Sequence, residues 1–262
     1  MLASLIIPYY KDIVALELIL TALNKQSAKG DFEVIIAEDD NASETKNFLA
    51  KSIPLLNYPL QHVTQEDKGY RRSKALNNGI KVAKANFIIF IDGDCIPHKH
   101  FIKEYIKEKE EKKVLYGRRV NLSEKFSNEL RKTKSLKKLN ILSTAFSKST
   151  RVVEGLYIPF YPERFKSKRQ LWGCNMAVLK KHLIEVNGFD EDYVEYGPED
   201  LDIYCRLSKL GCELKSVKYQ AIIYHLYHKT KGLDDVIKRG KTIFDQKMNA
   251  GLIRCINGIE KL

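Results

Sequence analysis

The chain has 262 residues, 44% of them hydrophobic, a formal net charge of +12 and five cysteines. That is enough apolar material for one large core, and no stretch reaches the ~18 uninterrupted apolar residues that span a bilayer. Cys95, Cys174, Cys205, Cys212 and Cys255 are scattered without a CxxC pair, which argues against a zinc knuckle or a disulfide framework.

The opening MLASLIIPYYKD lacks the basic run and cleavage site of a secretory signal, so a cytoplasmic location is expected. The positive charge attracts anions without choosing among nucleic acid, anionic lipid, acidic polymer and nucleotide sugar. Residues 4–8 (SLIIP) read as a buried strand. From Asp12, which is placed to cap, Ile13, Leu16, Ile19, Leu20 and Leu23 fall at helical spacing. A second strand is expected over 32–37, a short helix over 43–51, a weaker strand over 60–64 and a helix over 71–84. Residues 86–91, apolar on both faces, form the central strand. Alternating strands and helices of this kind predict an α/β fold, a mainly parallel nucleotide-binding sheet flanked by helices, with ligands beyond the strands' carboxyl ends. Those ends carry Pro8, Tyr10, Asp39 and Asp40, then Asp92 and Asp94. The first turn has no GxGxxG, which disfavours a dinucleotide site. Tyr10 could stack on a base and Asp40 accept its imide N–H.

Asp92 and Asp94, two apart, point the same way if the chain stays extended, and Gly93 lets a ligand approach. Two carboxylates on one hard cation, with coordination left for a diphosphate, suit a phosphorylated substrate. An isolated Asp-x-Asp also serves simply to cap the turn after a strand.

A surface helix is expected over 101–113 and a strand over 114–120, followed by an irregular, basic insert over 121–170. Within the insert, RKTKSLKK (131–138) carries five basic residues and no acid. A charge run is usually a solvated helix face. With Leu130, Leu139, Leu142 and Phe146 as an apolar stripe it would instead be a basic amphipathic helix suited to an anionic membrane surface.

After residue 171 a strand (174–178), a helix and the turn NGFDE lead to Gly197 and Pro198. The next helix has Ile203, Leu207 and Leu210 on its apolar face and Gly211 at its close. Glu199 and Asp200 lie in its first turn, where acids also serve simply to complement the dipole. His225 ends an apolar run; a histidine there is more often a satisfied core residue than a metal ligand. His228 is expected at the surface. The 1–120, 121–170, 171–232 and 233–262 portions are taken as parts of a single domain.

In order, SLIIPYY, EDDNAS, GYRRSKALNNGIKVAKANFIIFIDGD, WGCNMAVLKK and NGFDEDYVEYGPEDLDIYCRL resemble the inverting family 2 glycosyltransferases with the GT-A fold. The carboxyl half is similar to the galactosyltransferase-type acceptor region of bacterial chondroitin polymerases and animal β-1,4-galactosyltransferases. The resemblance implies that Pro8, Tyr10 and Asp40 line a uridine pocket, with Arg72 and Asn77 near it or near the diphosphate. It implies Asp92 and Asp94 as the DxD, with Asp94 on the metal directly, and His225 as the third protein position at the metal. Asp200 matches the catalytic base, Glu199 its neighbour at the sugars, and Trp172, Gly173 and Asn175 the border of the sugar pocket. Pro198 departs from the usual Gly of the galactosyltransferase-like pattern, which bears on the acceptor.

The implied reaction moves a sugar from a UDP-sugar donor to a saccharide or lipid-linked saccharide acceptor, in surface polysaccharide or lipopolysaccharide synthesis, with Mn²⁺ or Mg²⁺ as cofactor. A sugar-nucleotide nucleotidyltransferase would share the sheet and the acids, but it needs a glycine-rich phosphate loop that PYYKD lacks. A nucleic-acid partner is disfavoured, because the basic run contains no interleaved aromatics.

Overall fold

The computed structural model describes residues 1–162, 171, 173–229 and 234–261. Strands β1 (Ala3–Tyr9), β2 (Phe32–Glu38) and β4 (Phe87–Ile91) are buried at every position but Pro8. Their side chains alternate between two cores. Leu5, Ile7, Val34, Ile36, Phe87 and Ile89 pack with helix α1 (Ile13–Leu23) on one face. Ile6, Ile35, Ile88 and Phe90 pack with Ala75, Leu76 and Ile80 of α3 (Arg72–Val82) on the other. Parallel strands covered on both faces require this continuous apolarity, and period-2 alternation assigns each residue its layer.

Helix α2 (Ser43–Ser52) and strand β3 (Leu60–Thr64) lie between β2 and α3, and β5 (Cys95–Pro97) and α4 (Phe101–Glu108) follow β4. Next come β6 (Lys113–Tyr116), β7 (Arg118–Asn121), α5 (Glu124–Thr133) and α6 (Ile141–Phe146). The carboxyl part contributes β8 (Asn175–Leu179), α7 (Lys180–Glu185), α8 (Glu199–Lys209), β9 (Glu213–Ser216), β10 (Ile222–His225) and α9 (Asp234–Ala250). The main sheet runs β3-β2-β1-β4-β8-β6-β9, and a small sheet runs β5-β10-β7. Strands β3, β2, β1 and β4 are mutually parallel, and β8 lies antiparallel between β4 and β6. A late strand thus completes the sheet begun by the first hundred residues.

The expected elements of the first hundred residues are present, and Asp12 caps α1 by accepting the Ala15 N–H at 3.0 Å. Helix α8 closes on Gly211 at φ +89°, a left-handed position that glycine adopts without strain. Three expectations need correction. The helix expected over 101–113 stops at Glu108, because the following KEEKK offers nothing apolar to bury. The single strand over 114–120 is two, divided at Gly117 between the two sheets. The basic stretch is not one amphipathic helix. α5 ends at Thr133, and Lys134, at φ 50°, turns the chain away. Leu130 is buried and Leu139 packs on the core, while Leu142 and Phe146 face solvent.

Candidate active site

The carboxyl ends of β1, β2 and β4 open on a cleft of about 870 Å³, which Pro8, Tyr10, Arg72, Asp92, Asp94, Gly173, Glu199 and Asp200 help to line. Acids from distant parts of the chain therefore meet in one place.

After Ile91 the chain does not stay extended. It turns at Gly93, the Cys95 N–H donates to the Asp92 carbonyl at 3.0 Å, and a Cβ at Gly93 would meet the Pro8 carbonyl at 2.7 Å. Asp92, expected on the cation with Asp94, accepts from Arg72 Nη2 at 2.7 Å. Asp94 faces His225 Nε2 and His228 Nε2, each 3.2 Å from Oδ2. The small sheet explains this meeting: β10 pairs antiparallel with β5 so that His225 lies opposite Cys95, and the Leu226 N–H donates to the Asp94 carbonyl at 2.9 Å. Burial raises the Asp94 pKa, but hydrogen bonds from His225 and His228 outweigh it and hold the carboxyl well below the usual range. The same hydrogen bond to Asp94, against burial, raises the His228 pKa.

One carboxylate oxygen and two imidazole nitrogens lie here within 4.8 Å of one another. Ligands about 2 Å from a shared ion sit roughly 3 Å apart, and the two Asp94–imidazole distances of 3.2 Å are of that order. Two imidazoles favour a transition metal over Mg²⁺. Among the described residues, Asp94, His225 and His228 form the one such cluster. His228, expected only as a surface residue, is half exposed yet turned onto Asp94. The spacing His225-Leu-Tyr-His228 is the sequence signal that marks it.

Across the cleft, Glu199 and Asp200 open α8 behind Pro198. Asp200 accepts from the Gly173 N–H at 3.0 Å and from Arg72 Nη1 at 3.1 Å. Arg72 Nη1 also reaches Glu199 Oε1 at 3.3 Å, so one guanidinium bridges Asp92, Glu199 and Asp200. Burial opposes the arginine's charge, but the surrounding acids, Asp200 first, raise its pKa well above the usual value. Burial, then the charge of Asp200, pushes the Glu199 carboxyl up to about 7 against the pull of Arg72. Asp202, the third acid of the run, points inward and accepts from the buried Arg206 at 2.6 Å.

At the base end, Tyr10 is exposed and its hydroxyl donates to Asp67 at 3.2 Å. Asp40 stands at the edge, 3.4 Å from Lys11 Nζ, while Asp39 lines the cleft and accepts the Arg71 N–H at 2.6 Å. Two expected site residues lie elsewhere. Asn77 is fully buried, donates to the Phe189 carbonyl at 2.8 Å and accepts the Phe189 N–H at 2.9 Å. Asn175, equally buried, donates to the carbonyls of Arg118 and Ala221 and accepts from Tyr105, joining the two sheets. Both asparagines satisfy buried backbone and do not line the cleft. Trp172 lies outside the described residues. Tyr70, Arg119, Arg131 and Tyr196 line the cleft without having been singled out from sequence. Arg131 belongs to the basic run but turns inward and donates to Asp12 at 2.8 Å.

A mainly parallel sheet with acids gathered at its strand ends, facing acids on a later helix, is the arrangement of the GT-A glycosyltransferases. Residues 4–177 match the model of glycosyl transferase family 2, and residues 159–229 match one described as the N-terminal domain of galactosyltransferase. The chain belongs to glycosyl transferase family 2 and is an enzyme of the glycosyltransferase type. It is 27% identical over 237 residues to chondroitin synthase from Escherichia coli, covering 85% of this chain and 34% of that protein. It is 28% identical over 273 residues to the uncharacterized glycosyltransferase YfnE of Bacillus subtilis, covering 90% and 68%. The chain thus spans about a third of the length of that chondroitin synthase. Among solved structures, the mannosyltransferase PcManGT from Pyrobaculum calidifontis, in complex with GDP-Man and Mn²⁺, aligns at TM-score 0.64 with 14% identity, covering 95% and 64% of the two chains. Residues 1–349 of S. aureus TarS, in complex with UDP-GlcNAc, align at TM-score 0.61 with 17% identity, covering 95% and 66%. These structural likenesses carry the GT-A fold.

Proposed function

We propose that the protein is a metal-dependent inverting glycosyltransferase that moves a sugar from a UDP-sugar to a saccharide or lipid-linked saccharide acceptor in surface polysaccharide or lipopolysaccharide synthesis. The observation that carries this is the convergence of Asp94, with two imidazoles, and Asp200, held by Gly173 and Arg72, on one cleft. The names of the chondroitin and hyaluronan synthases among the relatives support a polysaccharide product. Support for a nucleotide-sugar donor comes from the complexes of the structural neighbours.

In this mechanism Tyr10 and Asp39 or Asp40 receive the uracil ring, and Arg119 and Arg131 bring positive charge to the diphosphate end. Asp94, His225 and His228 would hold a divalent ion, Mn²⁺ in preference to Mg²⁺. When bound, that ion supplies stabilisation for charge growing on the departing UDP. Asp200 takes the proton of the acceptor hydroxyl as the hydroxyl oxygen bonds to the anomeric carbon from the face opposite the leaving group. The Gly173 N–H and Arg72 fix the direction in which its carboxylate presents that oxygen. The test is calorimetric titration with UDP-sugars in Mn²⁺ alongside a transfer assay. Asp200→Asn should keep donor affinity and lose transfer, because a base contributes to the transition state and not to ground-state donor binding. Normal turnover by that variant would remove Asp200 from the mechanism.

A further inference from the structure

Away from the cleft, the segment after α5 holds apolar side chains in solvent. Leu142 and Phe146 on α6 are 69% and 88% exposed, and Val153 and Leu156, at the 3-10 turn Val152–Gly155, are 61% and 41% exposed. Helix α6 packs against that turn, and Ile141 lies beneath it near Gly155. Leu142 and Phe146, four residues apart, share one face of α6, and Val153 and Leu156 lie on the turn packed against that helix. Single exposed leucines are ordinary, but a cluster of this kind marks an interaction site.

The surface is built rather than frayed. Asn140 Oδ1 caps α6 by accepting the Ser143 N–H at 3.0 Å, Thr144 is fully buried, and Ser123 Oγ donates to the Ser147 carbonyl at 2.5 Å. Asn121 and Thr150 exchange backbone hydrogen bonds at 2.9 and 3.1 Å.

The segment is predominantly basic. Residues 121–162 contain eight Lys or Arg against three Glu and no Asp. Arg131, Lys134 and Lys138 are paired with Asp12, Glu17 and Glu129. Lys132, Lys137 and Lys148 have no acidic partner among the described residues. Exposed Phe and Leu on a segment that also carries unneutralised lysines complement a surface that is apolar beneath and anionic above, which describes a bilayer of acidic phospholipid. A second copy of this chain, itself at +12, offers the opposite of charge complementarity.

We propose that the α6 face seats on an anionic membrane, with Leu142, Phe146, Val153 and Leu156 entering the headgroup boundary and the free lysines meeting lipid phosphates. The test is co-sedimentation of the protein with vesicles containing phosphatidylglycerol, against vesicles of phosphatidylcholine alone. The wild type should pellet with the anionic vesicles only and be released as salt rises. Leu142→Ser/Phe146→Ser and, separately, Lys132→Glu/Lys137→Glu should each lower partitioning by roughly tenfold or more. All of these side chains are exposed, so unchanged melting temperatures and unchanged Mn²⁺-dependent UDP binding are the controls. The UDP control also separates failure of this proposal from failure of the donor assignment. Wild-type protein remaining in solution beside anionic vesicles would overturn the proposal, as would variants that bind like wild type. So would sedimentation velocity showing a dimer that the serine variant dissociates, since a second copy would then own the face.

Discussion

The Gly173 N–H donates to Asp200 Oδ2 at 3.0 Å, and any side chain at Gly173 would overlap that carboxylate. The two residues define each other's position: one supplies the hydrogen bond, and its missing Cβ supplies the space. Gly173→Ala keeps the N–H but pushes the carboxylate away. Transfer should fall by roughly a hundredfold or more, the scale of a misplacement of about 1 Å, while UDP affinity by titration stays at the wild-type value. Equal losses in both would mean that Gly173 shapes the donor site instead.

Glu199 provides a pH test. Burial and the Asp200 charge raise its carboxyl to about 7. The folded state therefore binds this proton more tightly than the unfolded chain. The associated stability is full below the ordinary carboxyl pKa and is lost as pH rises toward about 7. Glu199→Gln removes that titration. The variant should melt close to wild type near about pH 5 and several degrees higher near about pH 8, for a gain on the order of 2–3 kcal/mol. A variant that melts lower than wild type at the higher pH would show that the ion pair with Arg72 outweighs burial.

The imidazole pair makes a separate prediction, read on the ion itself. Asp94→Ala should abolish Mn²⁺-dependent UDP binding, and His228→Ala should weaken Mn²⁺ affinity by at least roughly tenfold. Both can be followed by the spin-resonance signal of free Mn²⁺ during titration, without any sugar transfer. Chelation of the ion from the wild type should reproduce the Asp94→Ala result. Full Mn²⁺ affinity in His228→Ala would return that residue to the surface role its exposure suggests.

What the sequence made legible, and what it hid, follows from how local each cause is. Strands β1 to β4 and the Asp12 cap are written in neighbouring residues: a period-2 or period-3.6 apolar pattern, and a carboxylate three residues before the N–H it caps. Asp94 could be singled out from its place at a strand end, whereas Asp200 reads locally as no more than a first-turn acid and was singled out by the family resemblance. His228 was passed over: its spacing from His225 is a weak local signal, and its contact with Asp94 exists only once β10 has paired with β5. Asn77 and Asn175 misled for the opposite reason. They sit inside the motif stretches, but α3 and β8 aim them at buried carbonyls rather than into the cleft. Asp92 and Asp94 were expected to share a side of an extended strand, and the turn at Gly93 undid that premise. The basic run looked uniform by composition, whereas Arg131 turns to Asp12 at the cleft while Lys132, Lys134, Lys137 and Lys138 stay exposed, and left-handed Lys134 ends the helix.

Arg72 carries the last prediction. One guanidinium, its side chain 13% exposed, reaches Asp92, Glu199 and Asp200. Arg72→Gln leaves those acids facing one another without the cation, and breaking a buried pair from one side costs about 3–5 kcal/mol. Burial already raises the pKa of Asp92 and of Glu199, and removing the arginine takes away the charge that opposes that rise. These carboxyls would then protonate at higher pH, so the folded state gains stability as pH falls. The drop in melting temperature should accordingly be largest near about pH 8 and shrink toward about pH 5. A loss of the same size at both would mean that Arg72 acts by filling space, and the acids would then have to be insulated from one another by some other means.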